Sequence, residues 1–247
     1  NLPSGTVTFL FTDIEGSTDL AQRHPDQLPA LLARHHAIMY AAIEANHGHV
    51  FQIIGDSFHV AFHTASDGFK AALAAQRNLT QEAWSPAPIK VRMGLNTGTA
   101  QINTEDSVGG GYSGYSTLAR VARVMSVAHG GQILLSHATA ELVRDELPAE
   151  ISLRDMGEHH LKGLLQPENL WQVVAPDLIV DFPALASQAT ATNNLPTQLT
   201  TFIGRERELT DAQAKLNTAR LLTLIGPGGT GKTRLSLQIA ANQIDQF

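Results

Sequence analysis

The run TVTFLFT at positions 6–12 consists only of apolar residues and threonine. Such a run, rich in β-branched and aromatic residues, predicts a central strand that is covered on both faces. Asp13 and Glu15 follow directly, beside Gly16. Because carboxylates resist burial, a buried strand that ends on them is the first candidate for a functional site.

A second acidic residue follows a similar apolar run 43 residues downstream. In HVFQIIGDSFHVAF, positions 49–62, two apolar runs flank Gly55-Asp56-Ser57, which predicts a hairpin with Asp56 at its tip. In a split βαβ sheet these strands are neighbours, so Asp13 and Asp56 converge at one edge. A divalent cation removes the repulsion between two such carboxylates, and Mg²⁺ or Mn²⁺ suits oxygen ligands. The alternative is that each aspartate only caps a turn.

The rest of the first 175 residues alternates between helical and strand patterns. Helices are predicted over about 26–46, 64–84, 116–128 and 137–147, and further strands at 89–96, 132–136, 151–156 and 169–174, around the turn GEHHLKGL. The order β-α-β-β-α-β-α-β-α-β-β predicts an α+β, ferredoxin-like split βαβ fold with a mixed or antiparallel sheet and helices largely on one face. His35 and His36, inside the first helix, are interpreted as surface or boundary residues.

Composition excludes several kinds of site and partner. The chain has no cysteine, so disulfides and thiolate metal sites are impossible. Its 17 basic and 23 acidic residues give a net charge of −6, without the basic block typical of nucleic-acid binding. No apolar run reaches the roughly 18 residues of a membrane span, and no signal peptide is visible. We therefore expect a cytoplasmic protein with no membrane and no direct nucleic-acid partner.

The end of the chain has a different character. Residues 176–200 are polar and nearly uncharged, which predicts a linker. The motif GPGGTGKT at 226–233 fits G-x-x-x-x-G-K-[ST], between apolar RLLTLI and apolar RLSLQIA, and predicts a P-loop after a strand and before a helix. We expect phosphate to be bound by Gly226, Gly229, Gly231, Lys232 and Thr233. Residues 201–247 are thus predicted to be the truncated first βα unit of a P-loop NTPase.

Five segments resemble, in the right order, the class III nucleotide cyclase domain: FTDIEGST, IIGDSF, VRMGLNTG, ARVARVMSVAHGGQILLS and LKGL. The resemblance covers about residues 4–175. It implies an enzyme that converts ATP, or sometimes GTP, to the 3′,5′-cyclic monophosphate and pyrophosphate, in a head-to-tail homodimer whose site uses both chains. It also implies that Asp13, Asp56 and the Ile14 carbonyl bind two Mg²⁺ or Mn²⁺ ions, that Arg123 stabilises the transition state and that Lys162 contacts the triphosphate.

Three positions depart from the family pattern. The family's adenine-selecting lysine, base-recognising aspartate and ribose-binding asparagine correspond here to Gln52, Tyr112 and Ala119, or in a register shifted by one residue to Gly111 and Leu118 for the last two. We expect Gln52 and Tyr112 to contact the purine. Because Ala119 cannot hold the ribose, Thr117, Ser116 or Arg120 would have to compensate.

Two functions stay open on these grounds. The first is an adenylate cyclase, a phosphorus–oxygen lyase of low or atypical activity in signal transduction. The second is a nucleotide-binding or dimerising domain that regulates the ATPase behind it, because FIGRERE at 202–208 resembles the entry to STAND-type ATPases. A diguanylate-cyclase-like or polymerase-palm-like domain is disfavoured because no G-G-[DE]-E-F-type hairpin is present.

Overall fold

The computed structural model describes residues 2–102, 111–189, 205–216, 219, 221–227 and 230–242. The chain divides into two compact units, residues 1–189 and residues 190–247. Each unit has an apolar cluster of its own.

The first unit follows the predicted order of elements. Its strands are β1 (Gly5–Ile14), β2 (His49–Ile54), β3 (Ser57–Phe62), β4 (Val91–Ile102), β5 (Tyr112–Ser113), β6 (Ile133–Ser136), β7 (Ser152–His160), β8 (Glu168–Val174) and β9 (Gln188–Ala189). Its helices are α1 (Ser17–Arg23), α2 (Leu28–Ala45), α3 (Ala65–Gln81), α4 (Tyr115–Val127) and α5 (His137–Val143), the last followed by a 3-10 turn at Arg144–Glu146. Sequence reasoning missed α1, β5 and β9, which are short.

The strands form a mixed sheet in the order β2-β3-β1-β4-β6-β8-β7-β9, with β5 beside β4. Neighbours are antiparallel except for β4 and β6, which run parallel. The predicted mixed α+β sheet is therefore confirmed. Strand β1 lies between β3 and β4 and is buried from Val7 to Leu10 and beyond, as expected of a central strand.

Helices cover both faces of the sheet. On one face α2, α3 and α5 bury residues such as Met39 and Phe69 against Leu10 of β1. Helix α4 covers the other face, where Val121 packs with Phe9. The chain needs glycine at position 94 of β4, because a Cβ there would lie 2.4 Å from the backbone nitrogen of Met125 in α4.

Three expectations about the first unit are corrected. His35 is not a surface residue: it is fully buried beneath the ring of Phe58. The turn placed at 157–164 begins only after His160, because β7 pairs with β8 through His159. The first part of the predicted linker packs on the unit, with Leu178 and Leu185 buried and β9 paired to β7, whereas residues 190–200 lie outside the described residues.

The second unit contains α6 (Glu206–Leu216) and α7 (Lys232–Asn242) among its described residues. Ala212 of α6 packs with Leu235 and Ile239 of α7. Helix α7 begins at Lys232, two residues before the predicted helical segment RLSLQIA at 234–240. The predicted strand before the motif at 226–233 is not formed in the described residues 221–227.

Candidate functional site

The end of β1 and the tip of the β2–β3 hairpin bring Asp13 and Asp56 together. The Oδ2 atom of Asp56 accepts a hydrogen bond from the backbone nitrogen of Ile14 at 2.7 Å. The Oδ1 atom of Asp13 accepts one from the hydroxyl of Ser57 at 2.9 Å. Each aspartate is thus held by the residue next to the other. Gly55, with a φ of +62°, makes the tight turn that places Asp56 at the hairpin tip.

Arg92 of β4 completes this group, and sequence reasoning missed it. It lies opposite Asp13 in the β1–β4 register. Its Nε donates to Asp13 Oδ2 at 2.9 Å, and one of its terminal nitrogens donates to the same oxygen. Arg92 lies in the segment VRMGLNTG, so pairing that strand with β1 could have identified it. We call Asp13, Ile14, Asp56, Ser57 and Arg92 the carboxylate edge.

The carboxylate edge offers donors that fit a hard divalent cation. Two carboxylates and the Ile14 carbonyl are the oxygen ligands that Mg²⁺ and Mn²⁺ prefer. The guanidinium of Arg92 neutralises one of the two negative charges, so one net negative charge remains. In the described part of the chain no cluster of three or more His, Asp or Glu side chains could hold a metal alone. A cation here would therefore take its other ligands from water or from a nucleotide phosphate.

Arg123 and Lys162 are brought together elsewhere on the first unit. They line a cavity of about 400 Å³ with Ser126, Val127, His160, Ala186 and Ser187. We call this the cation cavity; neither Asp13 nor Asp56 lines it. Both cationic side chains are exposed, and no described residue forms an ion pair with either. Two cations without counterions at one cavity form an anion site that suits phosphate.

One wall of the cation cavity comes from the segment predicted as linker. Ala186 and Ser187 line it, and the hydroxyl of Ser187 lies 2.5 Å from Nδ1 of His159. Because Nε2 of His159 lies 2.9 Å from the carbonyl of Met156, which can only accept, the ring donates there. The sequence held no signal for the contact between Ser187 and His159, because β9, the strand that follows Ser187, has only two residues.

The side chain of Arg92 on β4 links the cation cavity to the carboxylate edge. Besides its bonds to Asp13, Arg92 donates from Nη1 to the carbonyl oxygen of Ser126 at 3.4 Å. Ser126 lines the cation cavity. A shift of α4 at this point would therefore reach the side chain that pairs with Asp13.

Gln52 is exposed on β2, as a purine-contacting residue needs to be. Its Oε1 lies 3.2 Å from Nδ1 of His59 on β3. Gln52 and His59 are opposite one another in the β2–β3 register.

Tyr112 and Thr117, which are expected to contact the substrate, are both nearly buried in the first unit. Tyr112 is only 9% exposed and packs its ring edge-on against Phe9 and Phe51, with centroids 5.0 Å away in each case; burial raises the pKa of Tyr112 to about 12. Thr117 is 7% exposed and donates its hydroxyl to the carbonyl of Thr99 at 2.8 Å. Burial disfavours a direct substrate contact by either side chain, and their role at the site stays a prediction.

In the second unit, Lys232 folds back over the loop that precedes it. Its ammonium donates to the carbonyls of Gly226 at 2.8 Å and Pro227 at 2.6 Å. Gly231 has a φ of +75° at the start of α7, and Thr233 is exposed one residue after Lys232. Gly229 lies outside the described residues. Lys232 therefore lies beside Gly226 and Pro227 of the motif.

Comparisons with known proteins agree with the fold of the first unit. The sequence model of the adenylate and guanylate cyclase catalytic domain matches residues 2–174. The chain is 42% identical over 211 residues to the uncharacterized protein Rv0891c of Mycobacterium tuberculosis, covering 84% of this chain and 70% of that protein. The chain therefore belongs to the adenylate and guanylate cyclase catalytic domain family.

Solved structures give the same result. An adenylate cyclase of Trypanosoma brucei in its monomeric state is 27% identical, with a TM-score of 0.65, covering 75% of this chain and 94% of that one. The adenylyl cyclase CyaB of Pseudomonas aeruginosa is 25% identical, with a TM-score of 0.61, covering 69% and 94%. None of the helices in the described residues is long and apolar enough to span a membrane.

Proposed function

We propose that the first unit is a metal-dependent nucleotide cyclase that converts ATP to 3′,5′-cyclic AMP and pyrophosphate. The observation that carries this proposal is the meeting of Asp13 and Asp56 at one strand end, in a chain of the cyclase family. In this reaction the ribose 3′-oxygen attacks the α-phosphorus in line, and the bond to the bridging oxygen of pyrophosphate breaks. Catalysis then consists mainly of positioning and charge stabilisation.

The carboxylate edge would hold the metal ions of this reaction. Asp13, Asp56 and the Ile14 carbonyl would bind two Mg²⁺ or Mn²⁺ ions, which lower the pKa of an attacking hydroxyl and neutralise phosphate charge when bound. Arg92 and Ser57 fix the carboxylate of Asp13 before any ligand arrives. This preorganisation keeps the two acidic groups in place without nucleotide.

The cation cavity would receive the phosphates. Lys162 would contact the β- and γ-phosphates, and Arg123 would donate to the oxygens on which charge grows in the transition state. Because the cavity is lined by neither Asp13 nor Asp56, we propose that a second copy, packed head to tail, brings its own cavity to this copy's carboxylate edge. Gln52 would contact the purine.

The test is an assay of product. Purified protein is incubated with ATP and Mn²⁺ or Mg²⁺, and cyclic AMP is sought by chromatography. Formation of cyclic AMP that is lost in Asp13→Asn and in Asp56→Asn supports the proposal. The absence of cyclic AMP from a folded, dimeric wild-type protein contradicts it.

A second candidate is favoured by Ala119, which offers no hydrogen bond to a ribose. The first unit would then bind nucleotide without turning it over and regulate a STAND-type ATPase to which the second unit belongs. The position of Lys232 beside Gly226 and Pro227 supports a phosphate-binding loop there. This candidate would be favoured if the wild-type protein, with Lys162 in place, binds ATP but makes no cyclic AMP. It also requires ATP binding that is lost in Lys232→Ala.

A further inference from the structure

Strand β2 carries a β-bulge directly before Gln52. Val50 pairs with Val60 and Gln52 pairs with His59, so Phe51 is the extra residue. Strict alternation would put Gln52 on the face of Val50, which packs against the cluster under α2 and α3. The bulge returns Gln52 to the face of Phe51, where the cluster under α4 lies. The local backbone thus places this one polar side chain next to His59.

His59 holds the amide of Gln52 in one orientation. The atom facing His59 Nδ1 at 3.2 Å is the amide oxygen of Gln52, which can only accept, so Nδ1 donates. Burial lowers the pKa of His59, which favours the neutral ring. The ring is itself fixed, since it stacks on Phe11 with centroids 3.9 Å apart and planes at 9°.

This arrangement decides what Gln52 can offer to a ligand. With its oxygen turned towards His59, the side chain presents its NH₂ group, a pair of donors, outwards. A glutamine that rotates freely can pair with either purine, because it can exchange donor and acceptor. A glutamine held by His59 makes that exchange only when the imidazole proton also moves from Nδ1 to Nε2.

We propose that His59 is a positioning residue that gives the site a preference for adenine over guanine by keeping the NH₂ group of Gln52 directed at the base. The proposal rests on the proposed function for the placement of the purine at Gln52. Adenine has an unprotonated acceptor at N1. Guanine carries a proton there and could meet the amide only through O6, leaving its N1–H and amino group facing another donor. A polar site is selective because a ligand that leaves hydrogen-bond donors unpaired binds less tightly than one that pairs them.

Two substitutions separate the hydrogen bond from the packing of the ring. His59→Phe keeps an aromatic ring on Phe11 but has no donor. His59→Asn loses the ring but places an amide nitrogen near the position of Nδ1. The dissociation constants of non-cyclisable ATP and GTP analogues are measured by calorimetry with Mn²⁺, and thermal unfolding confirms that each variant is folded.

We expect wild type to bind the ATP analogue more tightly, and His59→Phe to reduce the ATP-to-GTP preference about tenfold, the value of roughly one hydrogen bond. His59→Asn should keep the preference within about threefold of wild type. An unchanged preference in His59→Phe, an equal loss in both variants, or a wild type without preference for ATP would overturn the proposal.

The binding measurement also separates this proposal from the cyclase assignment. If His59→Phe loses the preference but wild type makes no cyclic AMP, His59 is a positioning residue of a nucleotide sensor and the cyclase assignment is wrong. If cyclic AMP forms while the base preference is the same in all three proteins, the cyclase assignment stands and the role of His59 is wrong.

Discussion

The carboxylate edge and the cation cavity carry opposite charges and are built in opposite ways. At the edge, Asp13 and Asp56 are held by Arg92, Ser57 and the Ile14 amide on adjoining strands. At the cavity, Arg123 and Lys162 are exposed cations that no described residue pairs with.

The difference fits what each region is proposed to bind. Two carboxylates repel and would move apart without fixed donors, so the sheet has to hold them in advance. Lysine and arginine at a surface are hydrated and flexible, and they become ordered only when an anion arrives. The edge is therefore preorganised, whereas the proposed phosphate ligand would order the two cations of the cavity.

The largest effect is expected at the edge. Asp13→Asn and Asp56→Asn should each reduce cyclic AMP formation by about 10²–10³-fold, because an amide is a poor ligand for a divalent cation. Initial rates at several Mn²⁺ concentrations measure this. Asp19→Asn, an exposed residue paired only with Arg23 on the same helix, is the matched control and should keep its rate. Wild-type rates in both edge variants would show that the edge is not the metal site.

At the cavity we expect a smaller loss that does not disturb folding. Arg123→Ala should lower the rate about 100-fold and Lys162→Ala about tenfold, because each removes one charge from the phosphates. Unfolding by urea should be unchanged, since both side chains are exposed. Lys70→Ala, an exposed lysine of α3, serves as the control; a loss of rate there equal to that of Lys162→Ala would argue against a specific site.

Arg92→Lys tests the link between the two regions. Lysine keeps the charge but lacks the two-pronged geometry with which Arg92 holds Asp13 and also reaches the Ser126 carbonyl. We expect about a tenfold loss of rate together with a higher Mn²⁺ requirement, read from the Mn²⁺ dependence of the rate. If only stability changed and the Mn²⁺ dependence did not, Arg92 would be a purely structural partner.

The last expected effect is on stability and not on rate, and it depends on pH. Burial, and secondarily His36, lower the pKa of His35 to about 4, below the value of about 6.5 in an unfolded chain. The unfolded state therefore binds the extra proton first, and stability is retained above pH 6.5 and lost as the pH falls towards 4. Between pH 7 and pH 5 the loss should be about 2 kcal/mol.

Urea unfolding of wild type and His35→Leu at the two pH values measures this. His35→Leu should remove that part of the pH dependence, while His137→Gln, at an exposed position, should not. An equal pH dependence in wild type and His35→Leu would show that His35 is not the titrating group.

Sequence reasoning predicted the mixed α+β fold of the first unit, the two aspartates of the carboxylate edge and the two cations of the cavity. Apolar runs that end on Asp13 and Asp56 indicated both strand ends. This was possible because a buried strand and the polar residue that follows it are adjacent in the sequence. It did not find Arg92, although the residue lies in a recognised segment, because its role depends on the pairing of β4 with β1. The family's spacing predicts a substrate contact for Tyr112, and the lack of a polar group at Ala119 suggests one for Thr117, but only the tertiary structure shows that both side chains are nearly buried.

The sequence by itself determined which residues are apolar in periods of two and of 3.6, and hence the elements, the sheet and the family. The tertiary structure decided which side chains meet across strands: Asp13 with Arg92, Arg123 with Lys162, and Gln52 with His59. The reason is that such meetings depend on register, and a single extra residue in β2 turns Gln52 to the other face of the sheet.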